Sequence, residues 1–297
     1  MRKIDVHHHF FPDFLDKGKA AEDVGWRTPP QNLPWTPEKS IAFMDAAGID
    51  VAILSFPAVP TGAKAENRHA TRSLNVQLRD ICVAHPTRFG FFASLPVLDD
   101  VEGVLAEIDF ALDYLGADGF ALPSSSGVGR DAKYIAHETY APIWDALNLR
   151  QAVVFLHGTQ TPSSTPYPHP FLGLPVVEVP NETFKAAAHL VVSGFKRRYD
   201  RVKIILAHMG GSMPFLAPRV AALSSYMMRS AAEIMHDFRT FYFDTALSAE
   251  TTTLTALHEF LGPAAKQRML FGSDFPGKLR KPAIFVSKLT ALRSGRP

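Results

Sequence analysis

Apolar residues along this chain follow two alternating periods. Short runs rich in Val, Ile, Leu and Phe recur at residues 4–9, 49–56, 89–95, 119–122, 152–157, 202–207, 241–245 and 269–272, and each predicts a buried strand. Between them the apolar spacing is helical. Thr36-Pro37 predicts an N-cap followed by proline in the first turn, and Ala47-Gly48 predicts the end of that helix. Leu74, Leu78 and Ile81 mark a helix over 66–84. Asp99 with Glu102 reads as a capping box that opens a helix reaching Leu115. Further helices are expected over 140–149, from a cap at Asn181 to about Tyr199, and over 250–261. Residues 10–35, rich in Pro, Gly and polar side chains, predict an irregular stretch.

Strands that alternate with helices pair in parallel, and eight such units predict one (β/α)₈ TIM barrel spanning residues 1–297. The turns agree. Connections from helix to strand are tight, at Gly48, Gly116-Ala117-Asp118, Leu149-Arg150 and Asp200-Arg201, whereas those leaving strands one, four and five are long. In a barrel the long loops gather at the C-terminal rim, where active sites form. The alternative, an open doubly wound sheet, lacks its commonest mark, because no GxGxxG follows the first strand.

Composition narrows the function classes. The chain is 46% hydrophobic and 20% charged, with a formal net charge of +2, too mild a balance to point to nucleic acid or a membrane surface. A single cysteine, Cys82, excludes an internal disulfide framework and falls within an apolar helical pattern, so it reads as core rather than nucleophile. With no apolar leader and no run as long as a membrane span, the cytosol is the expected compartment.

The chemistry lies at strand ends. Strand one ends in His7-His8-His9, strand five in His157, strand six in His208 before Met209-Gly210-Gly211, and strand eight in Ser273-Asp274. Strict alternation puts Asp5, His7 and His9 on one face of strand one and His8 on the other, with Asp5 placed to support a ligand. A barrel brings these ends to one rim, so four histidines and a carboxylate converge. That is one group more than a four-coordinate metal site with an open position uses, which leaves one histidine for proton transfer. Gly210-Gly211 reads either as a close backbone approach to a ligand or as an ordinary tight turn.

Asp5-Val6-His7-His8-His9, His157, His208-Met209-Gly210-Gly211 and Gly272-Ser273-Asp274-Phe275-Pro276 together resemble the amidohydrolase superfamily, and more closely its decarboxylase branch, the group of aminocarboxymuconate semialdehyde decarboxylase and 6-methylsalicylate decarboxylase. Trp35-Thr36-Pro37 and Pro180-Asn181-Glu182-Thr183 are most similar to the 6-methylsalicylate type. The resemblance implies one divalent metal, zinc in the first place and manganese as the alternative, held by His7, His9, His157 and Asp274. It implies an acid–base role for His208 and a homodimer in which Arg219 reaches the neighbouring subunit's substrate carboxylate. Two departures refine this. Strand four ends Ala121-Leu122-Pro123, without the lysine that bridges two metals in the hydrolases, and Ala42-Phe43 stand before Met44-Asp45, where the semialdehyde decarboxylase has an arginine. The implied substrate is therefore a small aromatic carboxylic acid, an ortho-hydroxybenzoate, losing CO₂ with Asp274 as proton donor and His208 as its partner. Hydrolysis of a lactone or amide by the same groups is the alternative activity, and a catalytically inactive metal-binding barrel is a third reading.

The chain ends soon after strand eight. Pro282, Phe285, Leu289 and Leu292 predict a short closing helix over 282–293 in a basic segment with no acidic residue.

Overall fold

The computed structural model describes residues 2–56, 62–127, 131–159, 169 and 171–277. The expected helix over 282–293 lies outside the described residues.

The chain begins with β1 (Ile4–His9), followed by α1 (Lys17–Val24), α2 (Pro37–Ala47), β2 (Val51–Ser55), α3 (Lys64–Ala84), β3 (Phe89–Ser94), α4 (Val101–Asp113) and β4 (Gly119–Pro123). A small ribbon of β5 (Ser125–Ser126) and β6 (Lys133–Tyr134) interrupts the repeat before α5 (Ala141–Leu149). Then come β7 (Val153–His157), α6 (Leu174–Val192), α7 (Phe195–Arg198), β8 (Lys203–Leu206), α8 (Met213–Ala222), α9 (Ala231–Arg239), β9 (Tyr242–Asp244), α10 (Thr251–Leu261), α11 (Ala265–Arg268) and β10 (Met269–Leu270). Eight strands form one parallel sheet in the order β1-β2-β3-β4-β7-β8-β9-β10. The sheet closes on itself where Val6 N donates to Phe271 O (3.0 Å), Asp274 N to His7 O (2.9 Å) and His9 N to Phe275 O (2.7 Å). The fold is a (β/α)₈ barrel, as the alternation of elements requires.

The barrel is filled, not hollow. Phe92, Phe155, Ile205 and Ala207 form an inner cluster against which Val6, Ile53, Ala121 and Leu270 pack. The larger core lies between barrel and helices and includes Leu54, Leu78, Phe91, Trp144, Leu190 and Phe238. Cys82 packs against this outer core, and burial pushes its thiol up to about 12, so no thiolate is available there.

Local signals account for several element ends. Thr36 Oγ1 accepts from Lys39 N at the start of α2, and Gly48 closes it with φ 61°. Three expectations change. The cap of α4 is Asp100, whose side chain accepts from Gly103 N, so the helix opens one residue later than the Asp99 pattern implies. Within residues 10–35 the structure holds α1, capped by Asp16 and closed by Gly25, which has no buried residue and therefore no apolar stripe to betray it. Asn181 lies inside α6, which starts at Leu174, because Pro180 is accommodated within the helix instead of marking its entrance.

The α6 backbone at that proline is packed against two loops that carry site histidines. A Cβ on Gly158 would lie 2.0 Å from the Val179 carbonyl oxygen, and one on Gly211 would lie 2.0 Å from the Pro180 carbonyl oxygen. Gly211, with φ 63°, is thus required by a passing helix. Gly211→Ala should cost about 3 kcal/mol, from overpacking plus a strained backbone, in equilibrium denaturation. A loss below about 1 kcal/mol would mean that the contact with α6 is loose.

Candidate metal centre and active site

Strand β1 carries the centre of the site because it is bulged. Its pairing with β2 runs Ile4↔Val51 and Asp5↔Ala52 and then slips to His8↔Leu54. One extra residue on β1 breaks the alternation. Val6 and His7 both reach the barrel interior: Val6 packs on the inner cluster, and the His7 ring lies edge-on to Phe155 at 4.9 Å. Asp5 is therefore on the side of His8, which corrects the expectation that it shares a face with His7 and His9. Its carboxylate accepts from Ser273 N (2.9 Å) and lies 2.9 Å from His8 Nδ1, while His8 Nε2 lies 2.7 Å from Ser40 Oγ. With both ring nitrogens engaged, His8 joins β1 to α2 and to the loop after β10.

The other strand-end groups converge. The Nε2 atoms of His7 and His9 are 3.0 Å apart, and each is 3.0 Å from Asp274 Oδ1. The His157 ring centroid lies 5.3 Å from those of both His7 and His9, and the His208 centroid lies 4.8 Å from that of His7 and 5.4 Å from that of His157. The backbone turns that present two of these groups are left-handed: φ is 55° at His208 and 61° at Asp274. Such conformations are uncommon outside glycine and gather at functional sites.

Each histidine is oriented from outside the cluster. His7 Nδ1 is 2.7 Å from Asp244 Oδ2, His157 Nδ1 is 2.9 Å from Gly158 O, His208 Nδ1 is 3.3 Å from Ala246 O, and His9 Nδ1 is 3.4 Å from Ser55 Oγ. A proton on Nδ1 leaves the Nε2 lone pair for the interior, the tautomer a metal ligand needs. Asp244 does more than hold His7: its Oδ1 accepts from the backbone N–H of His208 (3.0 Å) and of Ala246 (2.9 Å). It joins two site strands to β9, at whose end it stands.

Electrostatics follow from burial and proximity. Burial alone would lower the His7 pKa, but Asp244 and Asp274 overcome it and raise it to about 10. Burial lowers His9 to about 4, and lowers His157 and His208 as well, with repulsion from neighbouring imidazoles added. Burial would raise Asp274, yet the charge and hydrogen bonds of His7, and then those of His9, hold it well below the usual carboxylate range. Asp244 is lowered in the same way by His7 and His208. Buried, closely spaced nitrogen and carboxylate donors suit a divalent cation of the zinc or manganese kind, whose binding would displace the proton that the two carboxylates otherwise hold on His7. Two overlapping sets, His7/His157/His208 and His7/His9/Asp274, each place their donor atoms within 4.8 Å of one another.

The groups named from the sequence separate into those brought together and one that is not. His9, His157, His208 and Asp274 line one pocket whose apolar walls are Phe11, Trp26, Pro175 and Val179, and His7, fully buried, meets them from beneath it. Arg219 stands on the exposed side of α8 and makes no ion pair among the described residues. Asp244 is the site residue the sequence reading passed over. The available signal was the same as for its neighbours, a polar residue ending a strand. Past the end of β4, Ser124 and Ser125 bond the Thr159 hydroxyl, so hydroxyls stand where that strand ends.

Comparison with known proteins agrees with this geometry. The chain is 40% identical over 287 residues to a 6-methylsalicylic acid decarboxylase of Penicillium expansum, covering 93% of this chain and 85% of that one. It is also 40% identical over 299 residues to a 6-methylsalicylic acid decarboxylase of Aspergillus aculeatus, covering 95% and 86%. Among solved structures it superimposes with a TM-score of 0.80 on a dihydroxybenzoic acid decarboxylase of Polaromonas sp. JS666, crystallised with manganese and the inhibitor 2-nitroresorcinol, at 25% identity over 96% of this chain and 90% of that one. The amidohydrolase sequence profile matches residues 4–292, nearly the whole length. A closed barrel that gathers four histidines and an aspartate at the ends of its strands, matched along its length by that profile, belongs to the amidohydrolase family.

Proposed function

We propose that this chain is a metal-dependent, non-oxidative decarboxylase of an ortho-hydroxybenzoate, with 6-methylsalicylate as the favoured substrate. The observation that carries the reading is the convergence of four inward-facing imidazoles with Asp274 in an apolar-walled pocket, in a chain with 40% identical decarboxylase relatives. His7, His9, His157 and Asp274 would hold one divalent cation, zinc or manganese. Bound there, it would supply Lewis-acid attraction for the substrate's carboxylate and ionised hydroxyl.

The residues themselves divide the remaining work. Phe11, Trp26 and Val179 flank the ring and exclude water. Asp274 receives the proton of the ortho hydroxyl, and His208, taking up a proton from solvent at Nε2 as the substrate enters, donates a hydrogen bond to the oxyanion that remains. Asp274 then passes that proton to the ring carbon bearing the carboxylate. The C–C bond breaks, its electrons return to the ring, CO₂ departs, and the phenolate product takes a proton from water. His208 takes the part of the spare histidine, with its backbone N–H held by Asp244 and its Nδ1 by the Ala246 carbonyl.

The test is direct. Metal-loaded protein incubated with 6-methylsalicylate should release one CO₂ per acid without oxygen or organic cofactor. Dialysis against a chelator should abolish turnover, and zinc or manganese should restore it. Opening of lactones with no effect on such acids would transfer the site to hydrolysis.

We place Arg219 at the neighbouring subunit's pocket in a homodimer. An exposed guanidinium with no ion pair among the described residues is free to bind a carboxylate in a bidentate manner. Arg219→Ala should raise KM about tenfold with the dimer intact. A fully active monomer by light scattering would sink this assignment.

A further inference from the structure

A second cavity opens at the other end of the barrel. Gln151 before β7, Val202 and Lys203 at the start of β8, Tyr242 at the start of β9 and Arg268 before β10 form its wall, so it faces away from the strand ends that carry the histidines. Its volume is about 650 Å³, room for a small organic molecule.

Its lining is unbalanced in charge. Lys196, Arg197, Arg201, Lys203 and Arg268 meet only two carboxylates, Asp200 and Asp237. Asp237 is already committed, since Arg197 lies 3.4 Å from it and Arg229 binds its other oxygen, and Arg197 also pairs with Glu233 at 2.9 Å. Arg268 gives a hydrogen bond to the Thr240 carbonyl and lies over the Tyr242 ring at 4.8 Å, with no carboxylate of its own among the described residues. Lys196 is the informative group. It is 7% exposed, its Nζ is 5.4 Å from the Phe241 ring centroid, and it makes no ion pair among the described residues. Burial, and then Arg268, lower its pKa, while Asp237 and Asp200 act in the opposite sense. A buried ammonium without a hydrogen-bonded anion costs free energy that an apolar side chain of similar shape would not. Arg and Lys around a recess with more cations than carboxylates match the chemistry of phosphoryl oxygens.

We infer that the cavity between the starts of β7, β8, β9 and β10 is a binding site for a small phosphorylated metabolite, with Lys196 at its base and Arg201, Lys203 and Arg268 around it. The volume exceeds that of inorganic phosphate alone, and four cations, Lys196, Arg201, Lys203 and Arg268, with no ion pair among the described residues favour a ligand with two phosphoryl groups. The inference is independent of the decarboxylase reading, because no group at the histidine rim takes part.

Calorimetric titration of the metal-loaded full chain with fructose 1,6-bisphosphate, and separately with inorganic phosphate, tests it. One saturable site per chain is expected, tighter for the bisphosphate and weakening as salt is raised. Lys196→Met and Arg201→Ala should each weaken it about tenfold, the loss of one charge-assisted hydrogen bond. Arg201 is exposed, so its variant reports even if the Lys196 variant folds poorly. Binding should survive in His157→Ala, which separates this site from the histidine rim. No saturable heat, or binding that neither cavity variant changes, overturns the inference.

Discussion

Asp274→Asn should reduce CO₂ release from 6-methylsalicylate by roughly 10³-fold or more. It should also leave the purified protein with little bound metal. One carboxylate oxygen lies 3.0 Å from both His7 Nε2 and His9 Nε2, so a single substitution removes both the proposed donor to the cation and the proposed carrier of the proton. The amide keeps the size of the side chain but can neither accept a proton at working pH nor offer a charged ligand atom. Metal analysis and initial rates together divide the two losses. If excess metal restores occupancy but not turnover, Asp274 acts in proton transfer as well as in binding. If the variant retains a tenth of the activity, the proton comes from elsewhere and His208 becomes the first candidate.

Asp244→Ala is the second large effect, at a residue that sequence reading did not single out. The side chain is fully buried and anchors His7 through a 2.7 Å contact while accepting from the backbone of His208. Its loss frees the His7 ring, and metal affinity should fall about 10- to 100-fold, as is usual when the outer partner of a ligating histidine is removed. The metal-free protein should lose about 3–5 kcal/mol, the cost of breaking a buried charged pair from one side.

The pH dependence gives a separate check. In the metal-free protein the folded-state pKa of His7 is raised to about 10. The stability it contributes is complete below the unfolded value of about 6.5 and is lost as pH rises towards 10. Asp244 shifts downward, so its contribution is complete above the ordinary aspartate range and is lost as pH falls. Removing Asp244 should therefore flatten the alkaline fall in stability, measured as denaturation midpoints near pH 6 and pH 9. An unchanged alkaline fall would mean that Asp274 alone sustains the charge on His7.

Much of the architecture is written locally. The eight apolar runs, the Thr36 cap and the glycine at residue 48 each depend on neighbours in sequence, so the repeat of strand and helix and hence the barrel follow from the chain itself. His7, His9, His157, His208 and Asp274 stand at strand ends, and once a parallel barrel is inferred its geometry alone brings them together.

What only the tertiary structure decided depends on partners far apart in the chain or on departures from regular period. The pairing of His7 with Asp244 spans 237 residues, and nothing near Asp244 distinguishes it from any carboxylate closing a strand. The bulge in β1 moves Asp5 to the side of His8 because one residue more than the partner strand can match is inserted, an irregularity that alternation by definition does not contain. Gly211 is glycine because the Pro180 carbonyl of α6 occupies the space a methyl group would need. The α1 helix left no apolar period because it buries no residue of its own, and the basic cavity opposite the histidines draws on side chains from residue 151 to residue 268. Periodicity records what each segment turns toward the core. Which distant group meets it there is set by packing, and packing exists only in the folded chain.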